Sequence, residues 1–247
     1  MNKNEAASQK LNSAVVIPAL NPVPELAGLV RELLNRGIPK VIVVNDGSGS
    51  TYGSIFKEIE KLENCIVLVH KINRGKGRAL KTAFSYFLKH FPDLSGVVTA
   101  DADGQHSADD ICNICGILSN VQNSIVLGVR NFREKNVPKR SYIGNTVTSH
   151  IFRLLYGSRL HDTQTGLRGI PSPELSWMVE IAGERYDFEI NMLIRARHRK
   201  LGFKTVPIKT LYFNNNSGSH YNTIKDSFRI LKILISGKVG RYRLINF

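Results

Sequence analysis

The sequence predicts an α/β protein built on a mostly parallel, doubly wound sheet with helices on both faces. Three observations carry that expectation. Short, β-branched, nearly all-apolar runs recur at 14–18, 40–44, 65–69, 96–100 and 124–129, as in strands covered on both sides. Helical periodicity fills the intervals between them. The polar, glycine-rich segments follow the runs, and in open α/β sheets the carboxyl ends of the strands are where ligands bind.

In chain order, the run AVVIP leads into PALNP, then into PELAGLVRELLNRG. Apolar residues at 26, 29, 30, 33 and 34 and a closing Gly37 describe an amphipathic helix and its stop. KVIVV gives way to NDGSGS and the helical GSIFKEIEKLEN. CIVLV is followed by HKINRGKGR and the helical GRALKTAFSYFLKH. GVVTA ends in DADGQH, after which Ser107, Asp109 and Asp110 suit the start of a helix over SADDICNICGIL. SIVLGV is the fifth run, and RNFREKNVPKR after it carries five Arg or Lys against the single Glu134. SYIGNTVTSHIFRLLYG reads as a helix and HDTQTGLRG as a polar turn. Residues 173–182 and 186–200 read as two further helices, FKTVPIKTLYF as a late strand and NNNSGS as a loop.

Composition narrows the function classes. At 247 residues with 42% apolar content, the chain can fold around a substantial core. No run of 18 apolar residues exists, and the N-terminus lacks an apolar leader, so the expected location is cytoplasmic, peripheral on the cytoplasmic membrane face. Three cysteines make no disulfide framework. Cys112 and Cys115 form a CxxC, but Ile111, Ile114, Cys115 and Leu118 share a helical face, which reads as core packing. A formal charge of +14 predicts acidic partners: nucleotide phosphates, anionic lipid or nucleic acid.

Four polar segments thus converge on one predicted edge. Asp101 and Asp103, one residue apart, repel each other unless a cation lies between them. Mg²⁺ or Mn²⁺ fits, with Gln105 as a neutral oxygen donor; the plainer reading is an acidic turn capping the next helix. Asp46 can accept from a ribose or a base N–H, or can simply shape a tight turn. Arg74, Lys76 and Arg78 in NRGKGRAL sit at a helix start suited to a diphosphate, without the spacing of an ATP-hydrolysing P-loop.

VVIPALNP, VVNDGS, NRGKG, DADGQH, DTQTGLRG and RYDFEINML, in this order, resemble the family 2 glycosyltransferases of GT-A fold. They are most like the dolichyl- and polyprenyl-phosphate glucosyl- and mannosyltransferases. The resemblance spans about residues 13–225 and implies a GT-A domain at 13–220, with a donor half at 13–103 and an acceptor half at 104–220. It leaves an N-terminal tail at 1–12 and a basic amphipathic segment at 221–247. It implies that Pro18, Ala19 and Asn21 wall the nucleotide pocket, that Asp46 contacts base or ribose, and that Lys76 and Asp101, Ala102 and Asp103 meet the donor. Asp103 and Gln105, with Asp101, would hold Mg²⁺ or Mn²⁺. The implied reaction is inverting transfer of a hexose from a nucleotide diphosphate to a polyprenyl phosphate, with UDP-glucose favoured and GDP-mannose open.

An acceptor phosphate needs cations rather than a base, and Arg130 and Arg140 match the family's arginines, with Arg133, Lys139 and Arg168 assisting. One departure stands out. Related mannosyltransferases carry a further basic residue after VPI and a GESK-like element, where this chain has Phe213 and His220; His220 remains an acceptor candidate. The alternative is transfer to a glycan hydroxyl with Glu184 or Asp187, from a region that also offers Glu189, as base. His106 is expected beside the aspartate pair, and His70, His90 and His198 at the surface. The C-terminal segment has six Lys or Arg after residue 220 and an apolar stripe at 224, 228, 231 and 235, for an anionic membrane or for packing on the core. The non-enzyme rival is a basic RNA- or membrane-binding module. Nucleic acid is not expected, because aromatics are not interleaved with the cations; a homo-oligomer stays open.

Overall fold

In the computed structural model, which describes residues 11–131, 139–209 and 232–237, each of the five apolar runs forms a strand. They are β1 (Ala14–Ala19), β2 (Lys40–Asp46), β3 (Cys65–His70), β4 (Gly96–Thr99) and β5 (Ser124–Arg130). Two more, β6 (Arg168–Pro171) and β7 (Gly202–Ile208), complete one seven-stranded sheet of order β3-β2-β1-β4-β6-β5-β7. All neighbours pair in parallel except β6, which runs antiparallel to both β4 and β5.

The apolar runs lack alternation because both faces are covered. Ala14 and Val16 of β1 point into one core with Ile42 and Val44, while Val15 and Ile17 enter a second with Val41 and Val43. The first core is closed by α3 (Lys76–His90), α5 (Lys139–Tyr156), α6 (Ser172–Val179) and α7 (Asp187–His198). The second is closed by α1 (Leu26–Asn35), α2 (Gly53–Glu60) and α4 (Ala108–Leu118). Ser107 caps α4 as its position predicts: its hydroxyl oxygen accepts from the Asp110 amide at 3.1 Å. Cys115 is buried in the second core.

β6 corrects the reading of HDTQTGLRG as wholly a turn. A strand of sequence RGIP, with an arginine, a glycine and a proline in four residues, shows no strand signal. It forms because carbonyl oxygens satisfy the buried Arg168 guanidinium. The late strand is seen at 202–208; residues 210–213, the NNNSGS loop and most of the C-terminal segment lie outside the described residues. Among the described residues no helix is long and apolar enough to cross a membrane.

Candidate active site

β1 is flanked by β2 on one side and β4 on the other, so the winding reverses there and leaves a crevice at the strands' carboxyl ends. A cleft of about 190 Å³ opens at that point. Pro18 and Ala19 at the end of β1, Asn21 just after it, Asp46 at the end of β2, Lys76 at the start of α3 and Asp101 to Asp103 after β4 all line it. The four polar segments therefore do meet.

Asp46 is 3% exposed, and much of its carboxylate is committed to the chain. It accepts from the backbone amides of Arg74 (3.0 Å) and Gly75 (2.7 Å), and lies 2.6 Å from His70 Nδ1. His70 is thus buried rather than at the surface, with Nε2 3.0 Å from the Thr82 hydroxyl. It is the last residue of β3, in register with Asp46 of β2. Gly47 must be glycine here, since φ is +76° and a Cβ would run into the Ile72–Asn73 backbone. Asn21 ties the neighbouring loops, donating from its backbone N–H to Ser48 Oγ (2.9 Å) and accepting from Gly49 N at Oδ1 (3.0 Å).

The charges in the cleft are unequally compensated. Lys76 Nζ lies 2.6 Å from Asp101 Oδ1 and 3.1 Å from Glu189 Oε1. Against the opposing effect of burial, Asp101 and Glu189 hold the Lys76 ammonium above its ordinary pKa. Burial also opposes Asp101 ionisation, but Lys76 and then His106, whose Nε2 is 3.5 Å from Oδ2, keep its carboxyl well below the usual range. Asp103 is the reverse case. It accepts from the Gln105 backbone amide (3.1 Å) and side-chain amide (2.9 Å), and has no ion pair among the described residues. Burial, and then the charge on Asp101, push its pKa up. The pair is one neutralised carboxylate beside one that lacks a cation.

The remaining candidates scatter. Arg130 is gripped by the buried Asp162, through Nε (2.6 Å) and Nη2 (3.0 Å), and lines a second cavity of about 550 Å³ between α5 and residues 159–161. Arg168 does not reach an acceptor surface. It is 1% exposed and donates to the carbonyls of Thr165, Glu189 and Thr163, pinning the DTQTG turn to α7. Arg140 is the second residue of α5; Arg133 and His220 lie outside the described residues. Glu184 pairs with Arg78 Nε (2.5 Å) and Lys81 Nζ (3.0 Å), and Asp187 accepts from the Arg185 amide (2.9 Å). Of the three acids in that stretch, Glu189 is the one that meets Lys76. Arg185 and Tyr186, the first residues of the RYDFEINML motif, also line the cleft, although the sequence assigns them no role there.

The family model described as Glycosyl transferase family 2 matches residues 14–175. The chain is 32% identical over 244 residues to a UDP-N-acetylglucosamine–dolichyl-phosphate N-acetylglucosaminyltransferase of Methanococcus voltae, covering 92% of this chain and 96% of the relative. It is 30% identical to an uncharacterized protein of Methanocaldococcus jannaschii, covering 97% and 98%. Among solved structures, glucosyl-3-phosphoglycerate synthase from Mycobacterium tuberculosis, crystallised with Mn²⁺, UDP and phosphoglyceric acid, superposes with a TM-score of 0.62. The identity is 16%, over 95% of this chain and 80% of that one, and it speaks for the fold alone.

Proposed function

The chain belongs to glycosyl transferase family 2 and is a glycosyltransferase of GT-A fold, and from that premise we propose that it moves a sugar from a uridine diphosphate donor to a polyprenyl phosphate, with inversion. Family membership sets aside a purely non-catalytic basic module. The observation that carries the proposal is the cleft at the switch point, where Lys76 supplies a cation and Asp103 a carboxylate without one. A divalent cation answers the unpaired carboxylate, and a nucleotide diphosphate would complete that cation's shell. The sequence favours glucose as the sugar. The Methanococcus voltae relative is named for UDP-N-acetylglucosamine and dolichyl phosphate, so that donor is the first to test and UDP-glucose the second.

The residues present fit a divalent cation. Among the described residues no three His, Cys, Asp or Glu side chains gather into a cage. An ion at this rim would therefore rest on Asp103 with Asp101 and complete its shell with diphosphate and water, as Mg²⁺ and Mn²⁺ do. Bound there, it would offset the charge that builds on the leaving diphosphate. The chain's own groups do the rest. Asp46 holds the Arg74 and Gly75 amides in place at the start of α3, and Lys76 adds its charge beside the same cleft.

The acceptor half follows from acid–base chemistry. A phosphate monoester is ionised at neutral pH, with a second pKa of about 6, so its oxygen attacks without a general base. Glu184 and Asp187, the candidate bases for a hydroxyl acceptor, are spent on Arg78 and Lys81 and on the Arg185 amide. Arg130 and Arg140 are assigned to the incoming phosphate. The test offers radiolabelled UDP-N-acetylglucosamine, UDP-glucose and GDP-mannose, each with polyprenyl phosphate and Mn²⁺. Label extracted into organic solvent from a UDP-sugar is expected; its absence with every donor overturns the proposal.

A further inference from the structure

From Lys139 to His161 the sequence carries four Lys or Arg and no Asp or Glu. Asn145, Thr148, Phe152 and Tyr156 recur at helical spacing on α5 and are buried. The other side of the helix is open. Tyr142, His150 and Arg153 line the second cavity, with Arg159 and His161 opposite. Asp162 grips Arg130 there, but among the described residues no carboxylate pairs with Arg153 or Arg159.

Next to this cationic track stands an apolar ridge. Val147 (48% exposed) and Leu154 (84% exposed) are seven residues apart and so share a face of α5. Large apolar side chains exposed singly need no explanation. Here, of the six exposed among the described residues, Tyr142, Val147 and Leu154 lie on α5. Ile235 makes a fourth, on the segment at 232–237 whose Leu234 carbonyl accepts from the Tyr156 hydroxyl at 2.7 Å. Water solvates the arginines but not Leu154. A nucleic acid would take the cations and leave the ridge wet. An anionic bilayer satisfies both, with phosphates for the cations and the acyl boundary for the ridge.

We propose that the open side of α5 is the surface by which the protein seats on an anionic bilayer, with the Arg153–Arg159 cavity taking a lipid phosphate and Val147 and Leu154 entering the interface. Only β6 separates β5 from β4 in the sheet, which puts β5 roughly 10 Å from β4 at about 4.8 Å per strand. A bilayer seated there lies beside the donor cleft. The inference stands on this surface and not on the transferase reading, because its test uses no donor.

The full chain is sedimented with vesicles of phosphatidylcholine alone and of phosphatidylcholine with phosphatidylglycerol. Wild type is expected on the anionic vesicles only. Arg153→Glu with Arg159→Glu weakens that binding about tenfold or more, and Val147→Asp with Leu154→Asp does likewise. An equal charge change on or just after α2, Lys57→Glu with Lys61→Glu, leaves it near wild type. Thermal melts establish that each variant is folded. Indifference of wild type to anionic vesicles overturns the proposal. So does an equal loss in the α2 control, or a groove variant that loses oligonucleotide binding while keeping vesicles.

Discussion

Asp103 and Asp101 are chemically identical side chains that the fold treats in opposite ways. Lys76 neutralises Asp101, while Asp103 is buried without an ion pair among the described residues. Asp103→Asn is therefore expected to abolish transfer yet stabilise the metal-free protein at neutral pH. The sign follows from linkage: the folded pKa of Asp103 is raised, so its ionisation costs stability above that pKa and costs nothing below about 3.9, where folded and unfolded states are both protonated. Thermal midpoints of wild type and variant should differ at pH 7 and converge below about pH 4. Normal turnover in the variant would remove Asp103 from the metal site. Asp46 is a positioning residue in the same sense. Asp46→Asn leaves the amides of Arg74 and Gly75 without a carboxylate, and should raise the KM for the donor more than it lowers kcat.

Elements set which residues can meet. The turn before β6 brings Gly166 so close to Asp101 that an added Cβ would overlap its carboxylate. Gly166→Ala should thus displace Asp101 and weaken Mn²⁺-dependent UDP binding, measured by calorimetry, while far-ultraviolet circular dichroism stays native. Unchanged binding would mean the turn gives way instead. At the first turn of α5, Arg140→Ala should weaken acceptor use far more than donor binding in steady-state kinetics. Equal loss of both would take Arg140 out of the acceptor site. The strands before position 130 were legible because a strand covered on both faces needs apolar residues at every position, which is a local pattern. β6 was not, because an interior arginine is tolerable only once carbonyls from α7 and the DTQTG turn surround it.

At the scale of the whole molecule, the fold is expected to respond to the donor as one body, because β1, β2, α3 and the loop after β4 all border one cleft. UDP with Mn²⁺ at 100 times its Kd should stabilise the protein by about 2.7 kcal/mol. GDP and UMP under the same conditions should do less, and equal shifts from all three would undo the assignment of a uridine diphosphate donor. The residues themselves determine every strand of the sheet but β6, its ligand-bearing edge and the four polar segments along it, since periodicity and turn chemistry act over a few residues. What they left open was partnership. That Lys76 reaches both Asp101 and Glu189, that His70 backs Asp46, and that Arg168 is spent inside are contacts between residues from 21 to 113 positions apart. Burial and charge pairing at such separations are properties of the packed chain, and only the tertiary structure decides them.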